Sequence, residues 1–246
     1  KCKNQMLVNT YHILGRLFRL FPKTTQIKIK NMNGRFFVPI NCHYVCDDLS
    51  DMCKGRREPK LYDWLNELPI NAVYFDIGTS YGQEAVLAST FVERNVRVIG
   101  FDCNLYHSHF CCLNRALNNN RFEFIFGAVS DKSGKLISIE TNSDTHISQL
   151  HKKNVPYSYN IVTISLDDYS KTNKIIPTHI KIDVDGAEKL VINGAKVLLS
   201  NKTVKDIFIE IDHKNMELKE TILNFGFDVV WEEKKAMNTD ILFRRK

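Results

Sequence analysis

The chain has 246 residues, of which 43% are apolar and 25% charged, with 11 glycines and 6 prolines. That is ordinary usage for one or two globular domains, and it excludes collagen-like, low-complexity and disordered classes. No apolar run approaches the ~20 residues of a membrane span. The seven cysteines are odd in number and too sparse for a disulfide scaffold, which fits a reducing, cytoplasmic compartment. The N-terminus carries no secretory pattern and no Met, so the chain reads as cut from a longer protein. The net charge of +6 is uneven: residues 1–60 hold twelve Lys/Arg against four Asp/Glu, and the remainder is slightly acidic. Such a basic segment can steer an anionic partner, touch an acidic lipid surface, or simply be a solvated face.

In chain order, Met6, Leu7, Tyr11, Leu14, Leu17, Phe18 and Phe21 form an apolar stripe at helical spacing that Pro22 ends. This basic helix either caps its own core or makes a peripheral membrane contact. Gln26–Lys30 and Arg35–Ile40 flank Asn33-Gly34 and are predicted to form a hairpin turning there. Cys42, His43, Cys46 and Cys53 lack the Cys-x2-Cys pairs of a zinc site and read as free thiols. Pro59 opens a helix with Leu61, Trp64, Leu65 and Leu68.

A β-α alternation follows. Strands are predicted over Ala72–Ile77, Val96–Phe101, Phe122–Phe126, His179–Val184 and Val204–Ile211. The intervening helices are Gln83–Phe91, Phe110–Leu117, Glu188–Leu199 and Glu217–Asn224. Lys135–Glu140 and Ile161–Ser165 read as further strands, with a helix or turn at Leu166–Ser170. Asp228–Trp231 and Asp240–Phe243 read as a terminal antiparallel pair. The pattern predicts an α/β, doubly wound, mostly parallel sheet over residues 58–246, with residues 1–57 as an N-terminal helix and β-hairpin cap.

The run Tyr74-Phe75-Asp76-Ile77-Gly78-Thr79-Ser80-Tyr81-Gly82 is a buried strand ending in an acid, then two glycines around the turn into a helix. In such a sheet this turn faces the ligand. Gly78 is expected to let a ligand approach the backbone, and Gly82 to let the helix pack closely. A dinucleotide loop would read G-x-G-x-x-G, but here the middle glycine is missing. Asp76 would repel a pyrophosphate; it suits the sulfonium and α-ammonium of S-adenosylmethionine. Asp102 ends the second strand 26 residues after Asp76, where an acid accepts hydrogen bonds from ribose hydroxyls. Asp183, Asp185 and Glu188 surround Gly186 at the fourth strand, and Glu210, Asp212 and His213 follow the fifth. Carboxylates gathered at one sheet edge need a cation, a sulfonium, a Lys or a raised pKa to coexist.

Asp76-x-Gly-x-x-x-Gly82, Asp102, Leu166-Asp167-Asp168, Lys181-Ile-Asp-Val-Asp-Gly-Ala-Glu188 and Glu210 together resemble the FkbM-type S-adenosylmethionine-dependent methyltransferases over about residues 58–243. The resemblance implies a class I methyltransferase Rossmann-like fold and methyl transfer to a hydroxyl, usually of a sugar or glycan. It implies that Asp76, Gly78 and Gly82 form the cofactor loop and that Asp102 is the ribose acid. Thr79, Ser80, Cys103, Ala128 and Asp183 complete the expected cofactor contacts. The chain departs from the family's usual Asn at Ser80 and its usual Glu-Pro at Asp102-Cys103.

Asp183, Glu210 and His213 are the candidate catalytic residues, since a hydroxyl acceptor needs a base and aligned reactants. His146 and Ser148 in a polar loop, with Asp185 and Glu188, are the candidate acceptor contacts, and Asp185 and Glu188 could instead brace the loops. No resident metal is expected; the metal-assisted alternative gathers Mg²⁺ among Asp183, Asp185 and Asp212. A nicotinamide oxidoreductase and a non-catalytic cofactor-binding module are the competing classes. The absence of an Asn/Asp-Pro-Pro-aromatic run at the fourth strand argues against nucleic acid as acceptor.

Overall fold

The computed structural model describes residues 23–39, 42–141 and 157–246; the expected helix over residues 6–21 lies outside them. The described chain opens on the antiparallel strands β1 (Thr24–Ile29) and β2 (Met32–Phe37). Their turn is Lys30-Asn31, with Lys30 at φ 53°, and not Asn33-Gly34. The apolar pattern decides this register, because it brings Ile27, Met32 and Phe36 together on the core side. Gly34 sits opposite Ile27 inside the ladder, where a Cβ would come 2.4 Å from Val86 Cγ1.

The cysteine-bearing stretch is a helix, α1 (His43–Cys53), that buries Val45, Leu49 and Met52 at helical spacing. Its cysteines, and Cys42 before it, form no disulfide among the described residues. Helix α2 (Pro59–Asn66) starts with Pro at its first turn and buries Leu61, Trp64 and Leu65. Next come β3 (Val73–Ile77), α3 (Gln83–Ala88), β4 (Arg97–Asp102), α4 (Leu105–Leu117) and β5 (Glu123–Phe126). The strands β6 (Ala128–Val129), β7 (Leu136–Thr141) and β8 (Tyr157–Ile164) form a separate small sheet with β8 in the middle. After α5 (Leu166–Asn173) and β9 (His179–Ile182), the single helix expected over Glu188–Leu199 is two, α6 (Glu188–Asn193) and α7 (Lys196–Ser200). They part at Gly194, where a Cβ would lie 2.0 Å from the Ser130 carbonyl oxygen. The chain ends with β10 (Asp206–Asp212), α8 (Glu217–Asn224), β11 (Phe227–Lys234) and β12 (Asn238–Arg245).

The main sheet runs β5-β4-β3-β9-β10-β12-β11; β5 to β10 are parallel, and β12 is antiparallel to both its neighbours. Chain order reverses at β3, between β4 and β9, which opens a crevice at their carboxyl ends. Alternation along the strands builds two cores. Tyr74, Val98 and Phe208 face the hairpin and helices α1 to α4. Phe75, Ile77, Ile99, Ile180 and Ile207 face α5 to α8. Among the described residues no helix is long and apolar enough to cross a membrane.

The hairpin register makes a prediction. Gly34→Ala, which forces a methyl against Val86, lowers stability by about 1–3 kcal/mol in urea denaturation. Asn33→Ala, at an exposed position, stays within about 0.5 kcal/mol. A turn at Asn33-Gly34 would not produce that contrast.

Candidate active site

Beyond the carboxyl ends of β3, β4 and β9 lies a cavity of about 350 Å³. Of the residues singled out by sequence, Gly78, Ser80, Asp102, Cys103 and Ala128 line it, as do Asp183 and Asp185. The loop after β3 is pinned to β4, since the Gly78 and Thr79 N–H groups both donate to the Phe101 carbonyl at 2.9 and 3.0 Å. Gly78 has φ 81°, and a Cβ there would lie 1.8 Å from the Asp183 carbonyl oxygen. The close approach that requires this glycine is therefore that of the β9 loop, not of a ligand. Gly82, at φ 83°, opens α3 against Cys111 and Phe122 and does not line the cavity.

Asp102 is held by the chain itself. Its Oδ2 accepts from Ser80 N at 2.7 Å and its Oδ1 from Asn104 N at 2.6 Å. Ser80 reaches this position in the left-handed region, at φ 51°. Asn104 then caps α4, its Oδ1 accepting from His107 N. Burial pushes the Asp102 carboxyl up to about 7, against the pull of the two backbone donors. From the small sheet, Tyr159 Oη donates to the Cys103 carbonyl at 2.6 Å and fixes the turn that follows.

Asp76 stands behind the cavity rather than in it. It is fully buried, accepts from Thr79 Oγ1 at 2.7 Å, and lies 3.5 Å from Lys181 Nζ. The reason is register: Asp76 on β3 pairs with Lys181 on β9, so both side chains project to the α1–α4 face of the sheet. Thr79 is likewise buried and does not line the cavity. Lys181, only 2% exposed, also donates to Asp183 Oδ2 at 3.1 Å and lies 3.9 Å from Glu84 Oε2. Burial opposes its charge, but Asp183, Asp76 and Glu84 keep it well above the ordinary lysine range. Asp183 is conversely held below the usual carboxylate range: burial acts to raise it, and Lys181 and Arg57 outweigh that. Glu84, with burial the dominant influence, is pushed up to about 8.

Sequence reasoning missed two side chains of the cavity wall that come from the first helix and the link to the second. Tyr44 stacks on His107 with ring centroids 5.3 Å apart, and the His107 ring meets Ser80 Oγ at 3.1 Å. Arg57 pairs with Asp48 and lies 3.8 Å from Glu84. Nothing in the local sequence marks either one, since only packing of the N-terminal segment on α3 and α4 brings them here. Asn104 was legible in principle, as a helix cap three residues before His107.

The remaining candidates are placed differently from expectation. Glu188 is buried and spans the β9 loop, accepting from Gly186 N at 2.7 Å and Asn215 Nδ2 at 3.1 Å, with neither oxygen facing the cavity. Glu210 pairs with Lys235 at 3.4 Å, and His213 begins a short 3-10 turn with its N–H on the Met237 carbonyl; neither lines the cavity. The strand ends diverge there, so adjacency in sequence does not become adjacency in the crevice. His146 and Ser148 lie outside the described residues. Asp183, Asp185 and Asp212 do not gather: Asp212 Oδ1 instead accepts from Lys214 N. Among the described residues the group of three or more carboxylates that gathers within 4.8 Å is Glu58, Glu210 and Asp240. Lys235 Nζ contacts all three.

Residues 76–231 match the model of the methyltransferase FkbM domain. The chain belongs to the FkbM methyltransferase family. The family match does not favour the nicotinamide oxidoreductase alternative. Its fold is similar to that of the FkbM methyltransferase of Methylobacillus flagellatus KT, with a TM-score of 0.52 at 16% identity over 79% of this chain and 52% of that one. The chain thus spans about half the length of that structure. Aeropyrum pernix fibrillarin with natively bound S-adenosyl-L-methionine gives a TM-score of 0.47 at 10% identity, covering 80% of this chain and 74% of that one. M. capricolum TrmK with S-adenosyl-homocysteine gives 0.47 at 11%, covering 76% and 68%. Those two are too distant to carry weight. No curated protein matches the chain.

Replacing Lys181 by Met leaves buried carboxylates without their cation and costs about 3–5 kcal/mol at neutral pH. In the native FkbM protein the depressed Asp183 pKa stabilises above the ordinary carboxylate range, and that stabilisation is lost as pH falls through the folded value. The variant lacks it, so urea denaturation shows the gap between the two proteins closing toward acid pH. A gap that stays constant with pH contradicts this account of Lys181.

Proposed function

We propose that this FkbM-family enzyme methylates a hydroxyl of a polyhydroxylated acceptor, a sugar or glycan, in the cytoplasm and without a resident metal. The observation that carries the reading is that Asp183 and Asp185 line the same cavity as Asp102. An oxygen acceptor must shed a proton as it attacks, and carboxylates beside the cofactor cavity can receive it. That the six described cysteines form no disulfide with one another supports the cytoplasmic placement.

The residues present fit S-adenosylmethionine. A cavity of about 350 Å³ is within the range of cofactor sites, and its wall combines apolar Ile77, Phe101, Ala128 and Val129 with polar side chains that include Ser80, Asp102, His107 and Asp183. Each Asp102 oxygen has one backbone donor and keeps acceptor capacity for a ribose hydroxyl. When bound, the cofactor supplies a methyl carbon already activated on a positively charged sulfur. Asp102 then holds the ribose, and Asp183, kept ionised by Lys181, complements positive charge in the cavity. Asp76 acts through Lys181 and the Thr79 turn, as a positioning residue.

Asp185 is the base in this reading. It stands at the cavity rim at φ 28°, a strained conformation for a residue with a side chain. Desolvation by the cavity wall, then repulsion from Asp183 and Asp102, push its carboxyl up to about 7. That lies near the operating pH, where a general base is most effective. The acceptor oxygen would bond to the methyl carbon as the carbon–sulfur bond breaks and its electron pair stays on sulfur, leaving S-adenosylhomocysteine, while the acceptor's proton passes to the Asp185 carboxylate. Glu210 and His213 take no part.

Two measurements test this reading. Asp102→Asn weakens S-adenosylhomocysteine binding by about tenfold or more in calorimetry, because a ribose hydroxyl loses a charged acceptor. Labelled-methyl transfer to glycan fractions of a cell extract rises with pH through about 7 in the native enzyme, since the base must be ionised. Asp185→Asn lowers kcat by about 10²-fold or more and removes that limb, with cofactor affinity unchanged. A limb near 7 that survives in the variant rules Asp185 out as the base.

A further inference from the structure

The geometry points to a second cavity, of about 360 Å³ and separated from the first by the Arg57 side chain, as a subsite for a neutral, pyranose-sized ring of the acceptor that adjoins the hydroxyl presented to Asp185. The inference rests on the O-methyl transfer reading and adds to it where the acceptor sits and which residues read it. The cavity lies where the link between α1 and α2 meets the β11–β12 pair, and Arg56, Arg57, Glu58, Trp231, Lys235 and Asp240 are in its wall. Arg57 lines both cavities, with its side chain 14% exposed and anchored on Asp48, so a ligand here abuts the cofactor crevice.

Three independent features mark it as a binding site. Asp240 is only 3% exposed; its Oδ2 is 2.7 Å from Lys235 Nζ, yet its Oδ1 has no hydrogen-bond donor among the described residues. A buried carboxylate oxygen without a donor is costly, and a ligand hydroxyl would supply one. Trp231 is half-buried and stacks on Phe208 at 6.0 Å and 26°, so the indole is anchored on the core while forming part of the cavity wall. An anchored indole offers a rigid platform for the apolar face of a sugar ring. Glu58 holds φ 34° just before α2, a strained conformation that carries its carboxylate to 3.4 Å from Lys235.

Charge balance selects the ligand class. Four cations, Arg56, Arg57, Lys60 and Lys235, are interleaved with five carboxylates, Asp48, Asp51, Glu58, Glu233 and Asp240. A phosphate would face the carboxylates, and a metal ion or ammonium would meet Lys235 already seated among Glu58, Glu210 and Asp240. Hydroxyl groups both donate and accept, so a neutral polyol satisfies both signs at once. Apart from Trp231, every residue of this wall lies outside the 76–231 family match, whereas the cofactor cavity is built almost entirely within it. Acceptor choice is thus written in the flanks of the conserved-fold segment.

The test uses the full chain loaded with S-adenosylhomocysteine. Saturation-transfer NMR is recorded with methyl glycosides of glucose, galactose, mannose and fucose, and with glucosamine, glucose 6-phosphate and Mg²⁺ as competing probes. At least one neutral glycoside takes up saturation at millimolar concentration, and its affinity falls by about tenfold or more in Trp231→Ala and in Asp240→Asn. Cofactor affinity stays within about twofold in both. Asp240→Asn preserves side-chain shape, so it decides the matter if Trp231→Ala fails to fold in a melting control. The inference is overturned if no neutral glycoside binds, if only a charged probe competes for this cavity, or if a folded Asp240→Asn binds like the native chain. A glycoside that binds here while no glycan fraction is methylated when S-adenosylmethionine replaces the product overturns the reaction reading and leaves the subsite standing.

Discussion

A single buried ammonium holds the centre of this fold together. Lys181 projects from the middle of a parallel sheet with 2% of its surface exposed and meets Asp76, Glu84 and Asp183. Without it, buried Asp76 and Glu84 would stand beside Asp183 at the end of β9 with no buried cation among them, which is costly. With it, Asp76 anchors the turn after β3 through Thr79, and Asp183 is held ionised where that turn meets the β9 loop. The motif that marks the family in sequence is therefore first a charge-neutralising device and only then a ligand site.

The site's precision comes from loops locked to each other rather than from side chains reaching a ligand. Gly78 lets the β3 turn touch the Asp183 carbonyl, and the Phe101 carbonyl ties the same turn to β4. Ser80 and Asn104 clamp Asp102 from both sides, and Tyr159 clamps the residue between. Three adjacent strand ends are thus fixed relative to one another by the chain's own contacts. The N-terminal segment completes the arrangement, because Tyr44 and Arg57 close the cavity from the α1–α4 side.

Much of this was legible in the residues. The strand and helix alternation from Ala72 onward, the terminal antiparallel pair and the placing of Asp102 and Asp183 at strand ends follow from periodicity and from where a doubly wound sheet puts its ligands. The list of ways in which clustered carboxylates coexist contained the Lys that Lys181 turns out to be. Asp76 was misplaced because sequence shows that an acid ends a strand, not which face it takes relative to a neighbour from a hundred residues away. The hairpin turn was misplaced because Asn-Gly is a strong local signal, overridden here by burial of Ile27, Met32 and Phe36 and by the tight contact of Gly34 with Val86. Glu210 and His213 follow one another on the chain, yet the sheet carries them away from the cavity.

By itself the sequence determined the fold class, the strand that leads into the glycine turn and the acid at the tip of the next, because these depend on local period and spacing. Tertiary structure alone decided which carboxylates face the crevice and which are neutralised behind it, since that depends on inter-strand register and on a lysine with no local signature. It alone also brought Arg57 and Asp240 to one cavity from opposite ends of the chain. Pairing across such distances is set by how whole surfaces pack, and no window of neighbouring residues encodes it.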